Sequence, residues 1–334
     1  MTGGRYKLKL KGENRVEQLT MNVREVTKVL HGTEVISNVS MDLRRGEIYG
    51  LIGHNGAGKT MLMKLITNLV KPTTGTIELF GEPLLESSYL FLRRLGTMIE
   101  YPVFYDRKTA FENLQLCCAY SGYHEANAVD TALEWVQLTT VKHKPVHTFS
   151  LGMKQRLGIA RAIMTKPELL LLDEPMNGLD PSGIREMRDL FKMLANDYGT
   201  TLLLSSHMLS EVEQVADRVG LMKNGRLLEE KSMDTIRSKH TEFIELLTPD
   251  VKQACFVLED QLDLFNVKHI GERTIRIYGS VKSQSEIARV LLSYGIEIES
   301  ISKKYKTLDE YYHQALQVDN VAREDMDDVS GTKA

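Results

Sequence analysis

The chain has 334 residues, of which 42% are apolar and 26% are charged, and its formal net charge is −3 at pH 7. At roughly 150 residues per domain this length suggests two domains, and it excludes a peptide, a disulfide-stapled miniprotein and a wholly disordered chain. The near-balance of charge excludes a nucleic-acid or membrane partner that is recognised by overall field alone. Any polyanion must therefore be bound by a local group of residues and not by the charge of the whole surface.

Cysteine usage and hydropathy indicate the cellular compartment of the chain. Its three cysteines, Cys117, Cys118 and Cys255, form neither a paired framework nor a metal-ligand spacing, which favours a reducing cytosol. No signal peptide is visible, because the basic start leads into no apolar segment. The longest aliphatic runs, such as 169–172, fall far short of the roughly 18 residues that cross a bilayer. We expect a cytoplasmic chain that cannot span a membrane itself.

The first part of the chain is predicted to be a basic arm followed by an α/β core. Residues 1–20 are rich in Lys and Arg, and an edge strand, a surface-binding arm and an expression-vector remnant all remain open for them. The short apolar run Ile48–Ile52 precedes glycines and predicts a buried strand. Other predicted core strands span 22–28, 39–43, 169–172, 201–204 and 218–222. Helical spacing over about 90–165 predicts a helical subdomain, and a helix over 184–195 completes a β-α-β order that implies parallel pairing.

After residue 239 the pattern changes to a second, smaller domain. Strands are predicted over 241–248, 265–270, 274–278 and 296–302, with helices over 251–262 and 284–294. This β-α-β-β-α-β order is the split βαβ pattern, so we expect a C-terminal α+β domain of ferredoxin-like type over 239–317. Residues 318–334 are acidic with little to bury, which predicts a disordered tail.

The strongest motif is Gly53-His54-Asn55-Gly56-Ala57-Gly58-Lys59-Thr60, which fits G-x-x-x-x-G-K-[ST] between the apolar strand and a helix predicted over 61–69. Glycines let backbone N–H groups and the helix N-terminus close around phosphates. Lys59 is expected to reach the β- and γ-phosphates, and Thr60 to ligate Mg²⁺. The alternative is a glycine-rich turn followed by Lys-Thr by chance, and the strand–loop–helix context argues against it.

Two acids follow a second apolar strand. The run 169–172 leads directly into Asp173 and Glu174, at the sheet edge where ligands bind in open α/β folds. Asp173 is expected to hold Mg²⁺, usually through water, and Glu174 to orient and polarise the attacking water. Taken alone, the motif could be two acids that merely end a strand. Beside the phosphate loop it predicts a P-loop NTPase.

A segment upstream of these acids narrows the family. Ser150 and Gly152 precede the Gln-Arg pair at 155–156, and with this segment the chain resembles the ATP-binding subunits of ABC transporters at their signature sequence. The resemblance extends over about 21–235, with Asp180 in the D-loop position and His207 in the switch position. It implies an ABC nucleotide-binding domain over 21–238. It also implies a head-to-tail homodimer, in which Ser150 and Gly152 face the phosphate loop of the other copy.

Two positions depart from the usual family pattern. Glu100 stands where most members carry a Gln that touches Mg²⁺ and the membrane partner, and this variant resembles transporters that expel or confer immunity to lantibiotics and bacitracin. The resemblance therefore implies a place for Glu100 among the nucleotide and metal contacts. Leu30 stands where an aromatic residue normally stacks on adenine, and stacking by the adjacent His31 is the alternative.

The resemblance implies an ATPase with ATP and Mg²⁺ as cofactors that powers an exporter through a separate integral membrane permease, at the inner face of the membrane. No nucleic acid is expected. The region 90–138, with Glu100 and Tyr101 at its base, is the expected docking surface. The predicted C-terminal domain, which ends in the acidic-aromatic segment 307–312, resembles the extension found in bacitracin-type ATPases, and this implies a role in dimerisation or regulation. The alternatives are an exporter of a drug or lipid, a soluble ABC protein without a transporter, and a sensor that uses ATP only as a switch.

Overall fold

The structure, a computed structural model, describes residues 18–85, 90–238, 242–304, 308 and 310–312. The chain divides into two units between Glu230 and Lys231, before the predicted boundary at residue 238. The predicted acidic tail lies outside the described residues, as does the predicted basic arm up to residue 17. No helix in the described ranges is long and apolar enough to cross a membrane.

An antiparallel sheet opens the first unit, with strand order β2-β1-β4-β5. Its strands are β1 (Leu19–Leu30), β2 (Thr33–Arg44), β4 (Thr74–Leu79) and β5 (Glu82–Pro83). Strand β1 pairs with both β2 and β4, so Leu19 and Thr20, which the sequence assigns to the arm, belong to this sheet.

The central sheet has the strand order β10-β9-β3-β8-β7-β6. Its strands are β3 (Ile48–Ile52), β6 (Leu95–Met98), β7 (Leu169–Asp173), β8 (Thr201–Ser206), β9 (Arg218–Lys223) and β10 (Arg226–Ser232). The pairs from β9 to β6 are all parallel. Every residue of β3, β7 and β8 is buried, as expected for parallel strands that are covered on both faces.

Successive residues of β7 divide the core of the first unit in two. Leu169 and Leu171 face a cluster that includes Tyr49 and helix α1 (Lys59–Ile66), whereas Leu170 and Leu172 face the long helix α5 (Pro181–Tyr198). Helices α1 and α5 therefore pack on opposite faces of the central sheet.

The helical subdomain consists of α2 (Ala110–Ser121), α3 (Ala128–Trp135) and α4 (Leu151–Ile163), with short 3₁₀ turns at Thr139–Val141 and Val146–Thr148. These helices meet through the fully buried Leu114, Leu133 and Leu157. A 3₁₀ helix at Leu90–Arg94 leads into β6, a strand that the sequence analysis missed inside the predicted helical region. Four residues are too short a run to show strand alternation, and Leu95 becomes a strand residue only by pairing with Leu169.

The second unit confirms the predicted β-α-β-β-α-β order. The short helix α6 (Leu209–Glu213) still belongs to the first unit. In the second unit, the short helix α7 (Met233–Ser238) is followed by β11 (Phe243–Leu247), α8 (Val251–Leu262), β12 (Val267–His269), β13 (Thr274–Tyr278), α9 (Gln284–Ser293) and β14 (Ser300–Lys304). The antiparallel sheet order is β12-β13-β11-β14. Helices α8 and α9 pack on it through Leu258, Ile287 and Leu291. The last strand lies a few residues after the predicted 296–302.

Candidate nucleotide-binding site

The phosphate loop links the end of β3 to the start of α1. Gly58 has a φ of +104° and adopts a backbone conformation that side chains rarely tolerate. Gly53 has no room for a side chain either, because a Cβ there would lie 2.3 Å from the carbonyl oxygen of Met222. The N–H groups of Lys59 and Thr60 belong to the first turn of α1 and have no partner within the helix. The loop thus presents donors and a positive helix end to an anion.

Lys59 is the buried cation of this loop. Its side chain is only 6% exposed, and its Nζ donates to the carbonyl oxygen of Gly53 at 2.6 Å and to that of His54 at 3.3 Å. The same Nζ lies 3.5 Å from a carboxylate oxygen of Glu174. His54 and Asn55 are exposed to solvent. Lys59 is therefore held at the mouth of the loop by backbone oxygens.

Asp173, at the end of β7, is fixed by two hydroxyl donors. Thr60 Oγ1 donates to one carboxylate oxygen at 2.7 Å, and Ser205 Oγ donates to the other at 2.5 Å. Ser205 is fully buried at the end of the neighbouring β8, where it pairs in register with Asp173. The sequence analysis assigned no role to Ser205, although both strand runs end at the same sheet edge. Hydroxyl and carboxylate oxygens of this kind suit Mg²⁺.

Glu174 follows in an unusual backbone conformation with a φ of +49°. Its N–H donates to Ser205 Oγ at 3.0 Å, and its carbonyl accepts from Gln155 Nε2 at 3.0 Å. The carboxylate lies 2.8 Å from His207 Nδ1 and is 23% exposed. Strained positions of this kind cluster at functional sites. Glu174 is thus aimed at Lys59 and His207 while it stays accessible to water.

A cavity of about 500 Å³ lies beside Lys59 and Glu174, and neither Asp173 nor His207 is among its described lining residues. The phosphate loop from Asn55 to Thr60 lines it together with Glu174. Its remaining wall consists of residues that the sequence analysis did not select: Glu34, Val35, Met61, Asn224 and Gly225. Neither Leu30 nor His31 lines this cavity, and His31 lies in the turn between β1 and β2.

The signature residues lie at a different cavity of about 610 Å³, which shares no lining residue with the first. Ser150 caps α4 by accepting from the Met153 N–H at 3.2 Å, and Asp180 caps α5 by accepting from the Gly183 N–H at 3.1 Å. A Cβ on Gly152 would lie 3.2 Å from the carbonyl oxygen of Gly178, so the signature packs closely on the D-loop. Within one chain, these residues are not brought to the phosphate loop.

Glu100 also lies outside the nucleotide cavity. Its carboxylate is 2.5 Å from Lys64 Nζ on α1, and its side chain is 61% exposed. The backbone φ at Glu100 is +61°, which turns the chain sharply after β6. The structure therefore pairs Glu100 with Lys64, which lies one helical turn beyond Thr60 on α1.

Comparison with known proteins identifies the family of the chain. Residues 36–177 match the family model described as ABC transporter. The chain is 55% identical over 287 residues, 86% of its length and 94% of the relative, to an uncharacterized ABC transporter ATP-binding protein, YcbN, of Bacillus subtilis (strain 168). It is 40% identical over 288 residues, 86% of its length and 94% of the relative, to the bacitracin transport ATP-binding protein BcrA of Bacillus licheniformis.

A solved structure of an ATP binding subunit of an ABC transporter shows the same fold. The TM-score is 0.61 at 30% identity, over 66% of this chain and 92% of that chain. The predicted α/β P-loop fold with its helical subdomain is confirmed, and so is the predicted family. The chain belongs to the ATP-binding proteins of ABC transporters, and it is an ATPase.

Proposed function

We propose that the chain hydrolyses ATP between two copies of itself to power the export of a peptide antibiotic of bacitracin or lantibiotic type through a separate membrane permease. The single observation that carries the dimer is the separation of the phosphate-loop cavity from the signature cavity within one chain. The similarity to a bacitracin transport protein along most of both chains supports the substrate class.

Each half-site has a chemical role in this proposal. Lys59 and the N–H groups that open α1 bind the β- and γ-phosphates of ATP by charge-assisted hydrogen bonds. Gly53, His54, Asn55, Gly56, Ala57 and Gly58 shape the loop around them. Glu174 accepts a proton from the attacking water, and His207 orients that carboxylate from 2.8 Å away.

The second half-site comes from the other copy. Ser150, Gly152 and the N–H groups that open α4 donate to the γ-phosphate in trans, and Asp180 shapes the adjoining D-loop. Cleavage of the γ-phosphate removes these contacts, so the two copies separate after each turnover. Opening and closing of the dimer is the motion that the permease receives.

Thr60 and Asp173 would hold Mg²⁺, which when bound neutralises charge on the phosphate oxygens. Both residues already share a hydrogen bond at 2.7 Å, and Asp173 is kept in place by the buried Ser205. Glu100 joins this site only if its contact with Lys64 opens, since its carboxylate is engaged there.

Replacing Ser205 tests how the Mg²⁺ ligand is positioned. Ser205→Ala removes a donor to Asp173 and an acceptor for the Glu174 N–H. We expect the Mg²⁺ concentration for half-maximal ATP hydrolysis to rise about 10- to 100-fold. Ser206→Ala is the matched control, because Ser206 ends the same strand and its hydroxyl bonds, within the described residues, to Met208 alone. An unchanged Mg²⁺ requirement in Ser205→Ala would show that this hydroxyl does not support a metal ligand.

The functional proposal is tested by antibiotic susceptibility. A strain that lacks the gene should become more sensitive to bacitracin or to a lantibiotic and stay unchanged towards tetracycline. The wild-type gene should restore resistance, whereas the Glu174→Gln gene should not. A deletion strain with unaltered sensitivity to both peptide classes would contradict the substrate class. Purification of the full-length chain from detergent-solubilised membranes should also recover a multi-spanning subunit, and recovery of ribosomal material instead would contradict the transporter role.

A further inference from the structure

Part of the nucleotide cavity is lined neither by the phosphate loop nor by Glu174. This part consists of Glu34 and Val35 at the start of β2, Met61 on α1, and Asn224 and Gly225 in the turn between β9 and β10. We call these five residues the second wall. Because the phosphates are bound by the loop, the second wall is what the cavity offers to the nucleoside.

The second wall is tied to the phosphate loop by main-chain contacts. The Gly225 N–H donates to the carbonyl oxygen of Ala57 at 2.9 Å, and the Gly225 carbonyl accepts from the Ser37 N–H at 2.9 Å. A Cβ on Gly225 would lie 2.5 Å from the carbonyl oxygen of Val35, so the turn packs directly on β2. Asn224 and Gly225 both have a positive φ, +48° and +75°, as the two-residue turn of a type I′ hairpin requires. The second wall therefore has a fixed position relative to the phosphates.

The second wall offers a base no ring to stack on. Among the described residues that line the cavity none is aromatic, and Val35 and Met61 are half-buried aliphatic side chains. Apolar contact with the face of a base does not distinguish one base from another, because every base has such a face. Selection among bases must therefore come from the polar groups of the wall.

Glu34 is the unexpected polar group in this wall. It is exposed, and within the described part of the chain its carboxylate has neither an ion pair nor a hydrogen bond. A negative charge that lines a cavity for a triphosphate is unfavourable unless it meets hydrogen-bond donors of the ligand. A carboxylate only accepts hydrogen bonds, and two parallel donors satisfy both of its oxygens at once.

Guanine carries two such donors side by side, the N1–H and the 2-amino group. Adenine has an acceptor at N1 and a single amino group beside it, so it satisfies one carboxylate oxygen and turns a lone pair towards the other. The amide of Asn224, which is exposed on the same wall, both donates and accepts, and it suits the remaining acceptors of a purine. The polar groups of the second wall thus match guanine better than adenine.

We propose that Glu34 selects the base by accepting hydrogen bonds from the N1–H and the 2-amino group of guanine, so that the chain binds and hydrolyses GTP as well as ATP. This inference rests on the proposed function, in which Lys59 and the phosphate loop bind the triphosphate. The phosphates of the two nucleotides are identical, so Glu174 serves both in the same way.

Titration calorimetry with non-hydrolysable ATP and GTP analogues in the presence of Mg²⁺ tests the proposal on the full-length chain. The wild type should bind the GTP analogue at least as tightly as the ATP analogue. Glu34→Ala should weaken GTP binding by about 10- to 100-fold, as expected for hydrogen bonds to a charged group, and should change ATP binding by less than about 3-fold. Glu34→Gln keeps the shape of the side chain and should lose part of the GTP affinity, because its amide accepts through one oxygen alone.

Inosine triphosphate and a second carboxylate provide the controls. Inosine triphosphate keeps the N1–H but lacks the 2-amino group, so it should bind the wild type more weakly than GTP and lose less affinity in Glu34→Ala. Glu134→Ala removes an exposed carboxylate on α3 that does not line the cavity, and it should leave both affinities unchanged. A wild type that binds ATP but not GTP, or an unchanged ratio of the two affinities in Glu34→Ala, would overturn the role of Glu34. If the wild type binds neither nucleotide, the proposed function itself has failed.

Discussion

Glu174→Gln is expected to bind ATP and to lose ATP turnover by about 100- to 10,000-fold, the range that a positioned general base contributes. The reason lies in the contacts of this carboxylate. It lies 3.5 Å from Lys59 and 2.8 Å from His207, and its backbone is fixed on both sides by Ser205 and Gln155. An amide of the same shape keeps the loop in place but cannot accept a proton from water.

Phosphate release and binding of a fluorescent ATP analogue separate the two effects. Glu168→Gln is the matched control, since Glu168 immediately precedes β7 and pairs with Arg94 at the surface, away from the nucleotide cavity. Turnover in Glu168→Gln should stay close to that of the wild type. Substantial hydrolysis by Glu174→Gln would assign the base to another residue.

Lys59→Ala is expected to weaken nucleotide binding by about 30- to 150-fold. Removal of a hydrogen bond to a charged group costs about 2–3 kcal/mol, and Lys59 is the buried cation at the loop mouth. The exposed Asn55 and Gly56 offer no charge that could replace it. Any resistance conferred by the proposed transporter complex should be lost together with binding.

Isothermal titration with ATP in the presence of Mg²⁺ measures this change. Lys192→Ala is the control, because Lys192 is exposed on α5 and does not line the cavity. Nucleotide affinity of Lys192→Ala should stay near the wild-type value. Full antibiotic resistance in a strain that carries Lys59→Ala would refute the role proposed for the phosphate loop.

Local sequence signals were sufficient for much of the fold. The run Ile48–Ile52 and the glycines after it predicted β3 with its observed bounds, since a continuous apolar run before a loop describes a buried parallel strand. Helix α8 and strand β13 were likewise predicted with their observed bounds, 251–262 and 274–278. In these segments apolar periodicity, the element type and the turn residues all agree.

Other features of the fold and of the site depend on tertiary pairing, which local sequence patterns do not show. Strand β6 depends on its neighbour β7, and the contribution of Ser205 depends on its register with Asp173 across two strands. The wall of the nucleotide cavity around Glu34 and Asn224 likewise comes from loops far apart in sequence. None of these residues carries a local motif, because each is selected by its position in space.

Glu100 illustrates a limit of inference by motif position. Its place in the chain implied a contact with Mg²⁺ and nucleotide, whereas the structure pairs it with Lys64 at 2.5 Å. The sequence contains both residues, but their proximity depends on how the fold places the end of β6 beside α1. The metal contact of Glu100 therefore stays a prediction that requires the Lys64 contact to open.

The mass of the Glu174→Gln variant in solution tests the two-copy arrangement most directly. Light scattering is measured with and without saturating ATP and Mg²⁺, after nucleotide binding and folding of the variant have been verified. In the proposed dimer, hydrolysis is blocked in this variant, while Ser150 and Gly152 still contact the γ-phosphate of the ATP that is bound to the other copy. We therefore predict the mass of two chains with ATP and the mass of one chain without it. A single-chain mass with ATP bound would contradict the proposed nucleotide sandwich.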